Sequence, residues 1–144
     1  MIEIKELDEL DNLFKVCKQF KVPQFYKTSS EINYLQDAES ILNEKLLIFE
    51  GESELDYTTR VLRHLIKSAN YLDNKGQIWK PNWEDNKEYK YSPWFNYSSG
   101  GWSFVVSDGH YGHSDAGVGF YKLKSTSDLF GQKFLNLYSI INNG

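Results

Sequence analysis

The spacing of apolar residues changes near Gly76, and this change is the strongest constraint on how the chain can fold. Before Gly76, apolar side chains recur at steps of three and four residues, which is the pattern of amphipathic helices. After Gly76, prolines, turn residues and β-favouring aromatic residues indicate short strands joined by turns. We therefore expect one α+β domain over residues 1–144, with a helical half at 1–75 and β-hairpins plus a C-terminal helix at 76–144.

Amphipathic patterns predict three helices in the first half. The first covers residues 3–20. The second follows an apolar stripe from Ile32 to Leu46, with Phe49 as an optional last member. The third begins near Ser53 and closes at Gly76, a glycine of the kind that commonly follows the last turn of a helix.

The second half predicts a small antiparallel sheet of about three strands, with the C-terminal helix packed on it. The predicted strands are residues 89–97, 102–107 and 118–123. Residues 98–101 would form the first hairpin loop, and Asp108-Gly109 would begin the second connection. The last helix carries Ser125 and Asp128 at the spacing of a capping box.

Composition narrows the class of protein. Phe, Trp and Tyr make up 16% of the residues, an unusual supply of side chains that suit both cores and recognition surfaces. Residues 1–60 carry 13 acidic and 7 basic side chains and residues 61–144 carry 7 and 9, so a strongly basic nucleic-acid footprint is absent. The sequence shows no membrane-spanning run, no signal peptide and a lone Cys17. We expect a cytoplasmic protein that does not associate with membranes.

The aromatic segment at residues 79–97 is the main candidate binding surface. Aromatic faces stack on nucleic-acid bases, and nearby lysines would attract phosphates. The candidate side chains are Trp79, Lys80, Trp83, Lys87, Tyr89, Lys90, Tyr91 and Trp94. The alternative is that the segment fills the core, because alternation along a strand sends at least one aromatic row inward. Glu84 and Asp85 also offset much of the positive charge.

Enzyme signatures are absent from the sequence. There is no phosphate-binding loop, dinucleotide fingerprint, nucleophile elbow or Cys-His pair. His110 and His113 are the candidate metal ligands, but their spacing matches no common zinc signature and their neighbours are loop formers. We therefore expect no catalytic residues and no cofactor.

Four sequence blocks support a family resemblance. They are the run WKPNWEDNKEYKYSPWF at residues 79–95, SGGWSF at 99–104, GVG at 117–119 and FGQKFLNLY at 130–138. Together they resemble a family of small, functionally uncharacterised phage and mobile-element proteins from gut bacteria of the Bacteroides type. Residues 120–123 depart from that pattern, since they read FYKL where relatives often have Arg-Leu-Cys-Phe.

The resemblance implies a non-enzymatic accessory protein that binds a host or phage macromolecule in the bacterial cytoplasm. A protein partner is expected first, and inhibition of a host defence system is the sharpest form of this hypothesis. One alternative is a small nucleic-acid or nucleotide binder that uses the aromatic segment. A minor virion component and a metal-dependent enzyme built on His110 and His113 are the others, and the oligomeric state stays open.

Overall fold

The computed structural model describes residues 26–112 and 117–144 of the chain. The predicted α+β class is confirmed, whereas the helix predicted at residues 3–20 and the lone Cys17 lie outside the described residues. A short 3-10 turn comes first, and the elements then run in the order α1 (Leu35–Leu42), α2 (Glu54–Asp73), β1 (Lys90–Ser98), β2 (Gly101–His110), α3 (Lys124–Lys133) and α4 (Leu135–Asn143).

Helix α2 is the centre of the core and matches its prediction. It begins where the Ser53 hydroxyl accepts a hydrogen bond from the Asp56 N–H at 3.1 Å, and the chain leaves it through Gly76 at φ +77°. Its buried side chains point in several directions, because neighbouring elements cover more than one side of the helix. The buried core comprises Ile32, Ala38, Ile41, Val61, Leu62, Leu65, Ile66, Ala69, Tyr121, Phe130, Phe134 and Tyr138.

Helix α1 is shorter than its apolar stripe predicts. It stops at Asn43, which adopts a left-handed conformation with φ 50°, one that Asn tolerates better than most residues. The Glu39 carboxylate then accepts a hydrogen bond from the Leu46 N–H at 2.7 Å, which directs the chain into a loop. Phe49, the optional last member of the stripe, is exposed on that loop under the Arg60 guanidinium.

The sheet has two strands in the described part of the chain, so the prediction of about three strands is wrong. Strands β1 and β2 pair antiparallel from Lys90 opposite His110 to Ser98 opposite Gly101, which confirms the predicted hairpin turn. Asp108-Gly109 therefore lies within β2 and does not begin a connection. A β-bulge interrupts the register between Trp94 and Phe95.

Residues 118–123 make only one bridge to the sheet, between Tyr121 and Tyr91. These two residues exchange both backbone hydrogen bonds, at 3.0 and 2.8 Å. The next such pair along an antiparallel ladder would need an N–H from Pro93, which has none. The side-chain amide of the buried Asn70 also binds this segment: it donates to the Phe120 carbonyl at 2.8 Å and accepts from the Lys122 N–H at 2.9 Å. The third strand consequently ends after one residue.

The predicted C-terminal helix is two helices that meet at Phe134, where φ is −106° and ψ is 29°. Helix α3 packs on the sheet so closely that a Cβ at Gly131 would lie 2.6 Å from Phe104 and 2.8 Å from Pro93. Asp128 does not cap the helix with Ser125. Its carboxylate instead accepts the Ser107 N–H at 3.1 Å and so ties α3 to β2.

Candidate functional site

The β1–β2 hairpin has an inner face against the helices and an outer face away from them. Side chains alternate along each strand, so Tyr91, Pro93 and Phe95 share the inner face. Phe95 contacts Tyr138 of α4, with the ring centroids 4.9 Å apart. The outer face carries Lys90, Ser92, Trp94, Val106, Asp108 and His110. The candidate residues of the aromatic segment are therefore divided between the two faces.

Lys90 is fully buried at the base of the outer face, because residues 82–88 fold over it. Its ammonium donates to the carbonyl oxygens of Asp85 at 3.0 Å and Tyr111 at 3.2 Å. The Glu88 carboxylate lies 3.7 Å away and the centre of the Trp83 ring 5.0 Å away. The charge of Lys90 is thus already balanced by this loop, which leaves little of it to attract a phosphate.

The other aromatic candidates form two separate clusters. Trp83 meets Phe120 edge-on at 5.1 Å, on the outer side. Tyr89 contacts Tyr91 and Tyr111 at 6.3 and 5.7 Å, and the tyrosines at 89 and 91 flank the bare backbone of Gly109. The structure therefore does not bring these rings into one stacking row.

The remaining candidates of the segment lie outside these two clusters. Trp79 is half-buried in the chain that precedes β1, and Lys80 and Lys87 are exposed there. Trp94 stands on the outer face with half of its surface exposed. Trp94 is therefore the candidate that lies beside the exposed Val105 and Val106 of the hairpin.

A cleft of about 370 Å³ opens between β1, α2 and α4. Its polar lining comes from Thr59 and Arg63 of α2, Ser92, Asp108 and His110 of the hairpin, and Asn142 of α4. Phe95, Tyr138 and Ile141 form an apolar wall. Burial raises the pKa of the Tyr138 phenol, which stays protonated and shares a 2.8 Å hydrogen bond with the Tyr121 hydroxyl.

Ser92 and His110 are joined across the strands by a hydrogen bond of 3.0 Å between the Ser92 Oγ and the His110 Nε2. This is the distance at which a histidine can activate a hydroxyl nucleophile. Asp108 pairs with Ser92 in the register, but no carboxylate of a described residue is hydrogen-bonded to the second ring nitrogen of His110. The edge of the His110 ring instead meets Phe120 at 5.6 Å. The pair resembles two members of a catalytic triad without the group that would orient the histidine.

The edge of β1 that faces the cleft is open beyond Tyr91. Alternate residues of a strand direct their backbone groups to the same side, so those of Pro93 and Phe95 point the same way as those of Tyr91, away from β2. No described residue bonds the Phe95 N–H or carbonyl from that side. The segment at Val118 is tied to α2 and not to this edge, because the Arg63 Nε donates to the Val118 carbonyl at 3.1 Å.

One of the two metal candidates lies within the described residues. His110 lies in the cleft with its Nε2 bonded to Ser92, whereas His113 lies outside the described residues. Across residues 26–112 and 117–144, no group of three or more His, Cys, Asp or Glu side chains is arranged to hold a metal ion. Within the same ranges, no helix is both long and apolar enough to cross a membrane.

Sequence patterns did not indicate the cleft, because its lining residues are distant in the chain. The one signal was the alternation of Ser92 with Asp108 and His110 on the outer face, which becomes visible only once the register of the hairpin is known. Comparisons with protein-family models, with curated proteins and with solved structures found no match for this chain.

Proposed function

We propose that this chain is a non-enzymatic binding protein that holds another macromolecule against the outer face of its hairpin. The observation that carries the proposal is a contiguous apolar surface, which we call the outer patch, formed by Trp94, Val105 and Val106. Trp94 and Val106 are opposite each other in the register, and Val105 is the bulged residue beside them. Their exposed fractions are 50%, 46% and 41%.

The bulge explains why the patch points outward. An extra residue on β2 leaves two consecutive valines beside one tryptophan, where regular alternation would have turned one of the valines inward. A one-sided antiparallel hairpin ordinarily carries polar residues on its open face. Apolar side chains there are costly to leave in water, and tryptophan is among the residues that contribute most to protein interfaces.

A protein partner has more support than a nucleic acid. Lys90 is buried among carbonyl oxygens, and the exposed Lys80 and Lys87 share their segment with Glu84 and Asp85. Nucleic-acid binders instead need a net positive track along the phosphates. The family resemblance extends the proposal to a host or phage protein in the bacterial cytoplasm, with inhibition of a host defence system as its most specific form.

Site-specific photo-crosslinking tests this proposal. A photoreactive phenylalanine analogue would replace Val106 in the outer patch, and in a matched control it would replace Tyr34, which is exposed at the start of α1 and outside the hairpin. In phage-infected host cells we expect one discrete crosslinked species from the Val106 position and none from the Tyr34 position. The same species from both positions, or none from either, would argue against binding at the outer patch.

The nucleotide alternative has its own experiment. Tryptophan fluorescence would be titrated with single-stranded DNA, RNA and cyclic nucleotides at low salt, where phosphate contacts are strongest. Our proposal predicts flat titrations. Saturable quenching that is lost in Trp94→Ser would replace the protein partner with a nucleic-acid or nucleotide ligand.

A further inference from the structure

The cleft beside β1 combines an unpaired strand edge with an apolar wall. The Pro93 carbonyl and the Phe95 N–H and carbonyl face the cleft, and Phe95 and Tyr138 lie on one side of it. A free strand edge is a template for another extended chain, and because Pro93 offers only its carbonyl, an added strand would pair here through that carbonyl and through the Phe95 N–H and carbonyl. Trp94 belongs both to the lining of this cleft and to the outer patch, whereas Val105 and Val106 do not line the cleft.

Within residues 26–112 and 117–144, no other segment pairs with this edge beyond Tyr91. Its own third strand ends at Tyr121, because Pro93 cannot donate to the next pair. The segment before Tyr121 turns toward α2, where Arg63 binds the Val118 carbonyl. Gly119 packs there so closely that a Cβ on it would lie 3.2 Å from the Ile66 side chain. Residues 117–119 therefore line the cleft and do not fill it.

The cleft has dimensions that suit an occupant. Its volume of about 370 Å³ lies within the range of pockets that bury small ligands or a few side chains. Thr59 and Arg63 form the wall contributed by α2, and Ile141 and Asn142 form the wall contributed by α4. A strand added along β1 would lie between these walls and the hairpin.

The chemistry of the lining indicates which side chains such a strand would carry. Successive residues of an added strand point to opposite sides. One set would face Phe95 and Tyr138, which favours apolar side chains. The other set would face the outer-face residues, where the partly buried Asp108 carboxylate has no hydrogen bond or ion pair with a described residue. A basic side chain complements that carboxylate.

We propose that this cleft binds an extended peptide segment of the partner protein, which adds as a strand to the free edge of β1 and alternates apolar residues over Phe95 with a basic residue beside Asp108. This inference rests on the proposed function and specifies how part of the partner is held. The Ser92–His110 pair then serves as a hydrogen-bonding neighbour of the peptide and not as a nucleophile and its base.

The test uses the full chain and a phage-displayed library of random dodecapeptides as the probe. We expect enriched peptides with apolar residues at alternate positions and a basic residue between them. A synthetic enriched peptide should slow hydrogen exchange of the Phe95 amide by at least about tenfold, because that N–H becomes hydrogen-bonded. Asp108→Asn should weaken binding of the basic peptide by about three- to tenfold. It should leave an otherwise identical peptide with the basic residue replaced unaffected.

A blocking variant makes the location of binding testable. Thr59→Arg places a long side chain in the cleft from α2 and should abolish peptide binding, while Gln132→Arg on the exposed side of α3 should not. Thermal unfolding of both variants shows whether they are folded. Should Thr59→Arg fail to fold, the Phe95 exchange measurement on the unaltered chain still decides the matter.

Three outcomes would overturn the inference. These are no peptide enrichment, peptide binding without protection of the Phe95 amide, and a Phe95 amide that already exchanges slowly in the free chain because the edge is covered. Each leaves the outer patch untouched, so crosslinking from the Val106 position would still support the proposed function. The reverse result, with peptide binding but no crosslink, would remove the outer patch and, with it, the claim that the peptide bound in the cleft belongs to a partner held there.

Discussion

Helix α2 and the β-hairpin differ in how many of their sides are covered. Helix α2 is surrounded by α1, α4 and the chain around Tyr121, and its apolar residues from Val61 to Ala69 are buried. Among the described residues, the hairpin is covered on its inner face and at the Lys90 end of its outer face, while the outer patch and the edge near Phe95 are open. Stability should therefore concentrate in the helical core, and recognition in the hairpin.

The contrast also appears in the polar groups. In the core, buried polar side chains are paired: the His64 Nε2 lies 2.9 Å from the Glu44 carbonyl, and the Asn70 amide binds the backbone on both sides of Tyr121. On the hairpin, the Asp108 carboxylate and the edge-facing backbone groups of Phe95 have no hydrogen-bond partner among the described residues. Unpaired polar groups at a surface cost little in water, and they are available to a ligand.

The largest effect is expected from Phe130→Ala. The ring is fully buried against Tyr121 and Phe134, with centroids 5.6 and 5.0 Å away, so truncation leaves a cavity between α3 and the segment around Tyr121. We expect the free energy of unfolding in urea to fall by about 3–5 kcal/mol. Gln132→Ala on the exposed side of α3 is the control. Equal losses of unfolding free energy in Phe130→Ala and Gln132→Ala would contradict the idea that stability is concentrated in the buried core.

Gly131→Ala tests the contact that joins the core to the hairpin. The added Cβ would lie 2.6 Å from Phe104, so the sheet or the helix must move. We expect a loss of about 1–3 kcal/mol in urea unfolding, from overpacking. A neutral result would mean that the hairpin shifts freely on α3, and that its inner face is less rigidly held than the core.

Tyr121→Phe removes one hydroxyl from the buried pair of tyrosines. The Tyr138 hydroxyl would lose its 2.8 Å partner while it stays buried, which should cost about 1–3 kcal/mol. Tyr97→Phe, an identical change at the exposed tip of the hairpin, is the matched control and should stay within about 0.5 kcal/mol. Thermal unfolding of the two variants measures the difference in stability between losing a buried hydroxyl and losing an exposed one.

Asp73 is expected to make the stability of the core depend on pH. Burial raises the pKa of its carboxyl from 3.8, against the lowering effect of hydrogen bonds from Thr126 and Ser29. The folded chain therefore holds this proton more tightly than the unfolded chain. The favourable contribution is complete below pH 3.8 and declines as the pH rises through the folded pKa. Urea unfolding of Asp73→Asn between pH 3 and pH 7 should lack this decline, and a parallel pH profile would refute the assignment.

The smallest effect on stability is expected at the outer patch. Trp94 and Val106 are each about half exposed, so Trp94→Ser and Val106→Thr remove less buried surface than Phe130→Ala, and each should lower the free energy of unfolding by about 1 kcal/mol. A larger loss would mean that the patch is covered in solution. The same variants should abolish the crosslinked species proposed above, with the photoreactive residue moved to the Val105 position.

Prediction from the sequence succeeded where the structure depends on neighbours in the chain. Helix α2 was predicted from Ser53 to Gly76 because its cap, its apolar spacing and its terminating glycine are local. The hairpin turn at residues 98–101 was predicted for the same reason. Helix α1 was predicted too long, since its apolar spacing continues beyond Asn43 while the backbone turns there.

The errors occur where two distant segments must meet. Residues 118–123 have the composition of a strand, but only the register with β1 shows that Pro93 would have to supply the missing N–H. Asp128 has the spacing of a cap, yet it binds the Ser107 N–H across the fold. The same limit hid the cleft, because nothing near Ser92 in the chain indicates that His110 is its partner.

By itself, then, the sequence determined the α+β class, the central helix, the hairpin and the absence of familiar catalytic signatures, because periodicity and turn chemistry act over a few residues. Only the tertiary structure decided which aromatic residues are buried. It also decided that Lys90 is enclosed and that the edge of β1 opens into a cleft. The physical reason is that burial and hydrogen-bond partners depend on the packing of segments far apart in the chain, and a one-residue change of register would exchange the inner and outer faces.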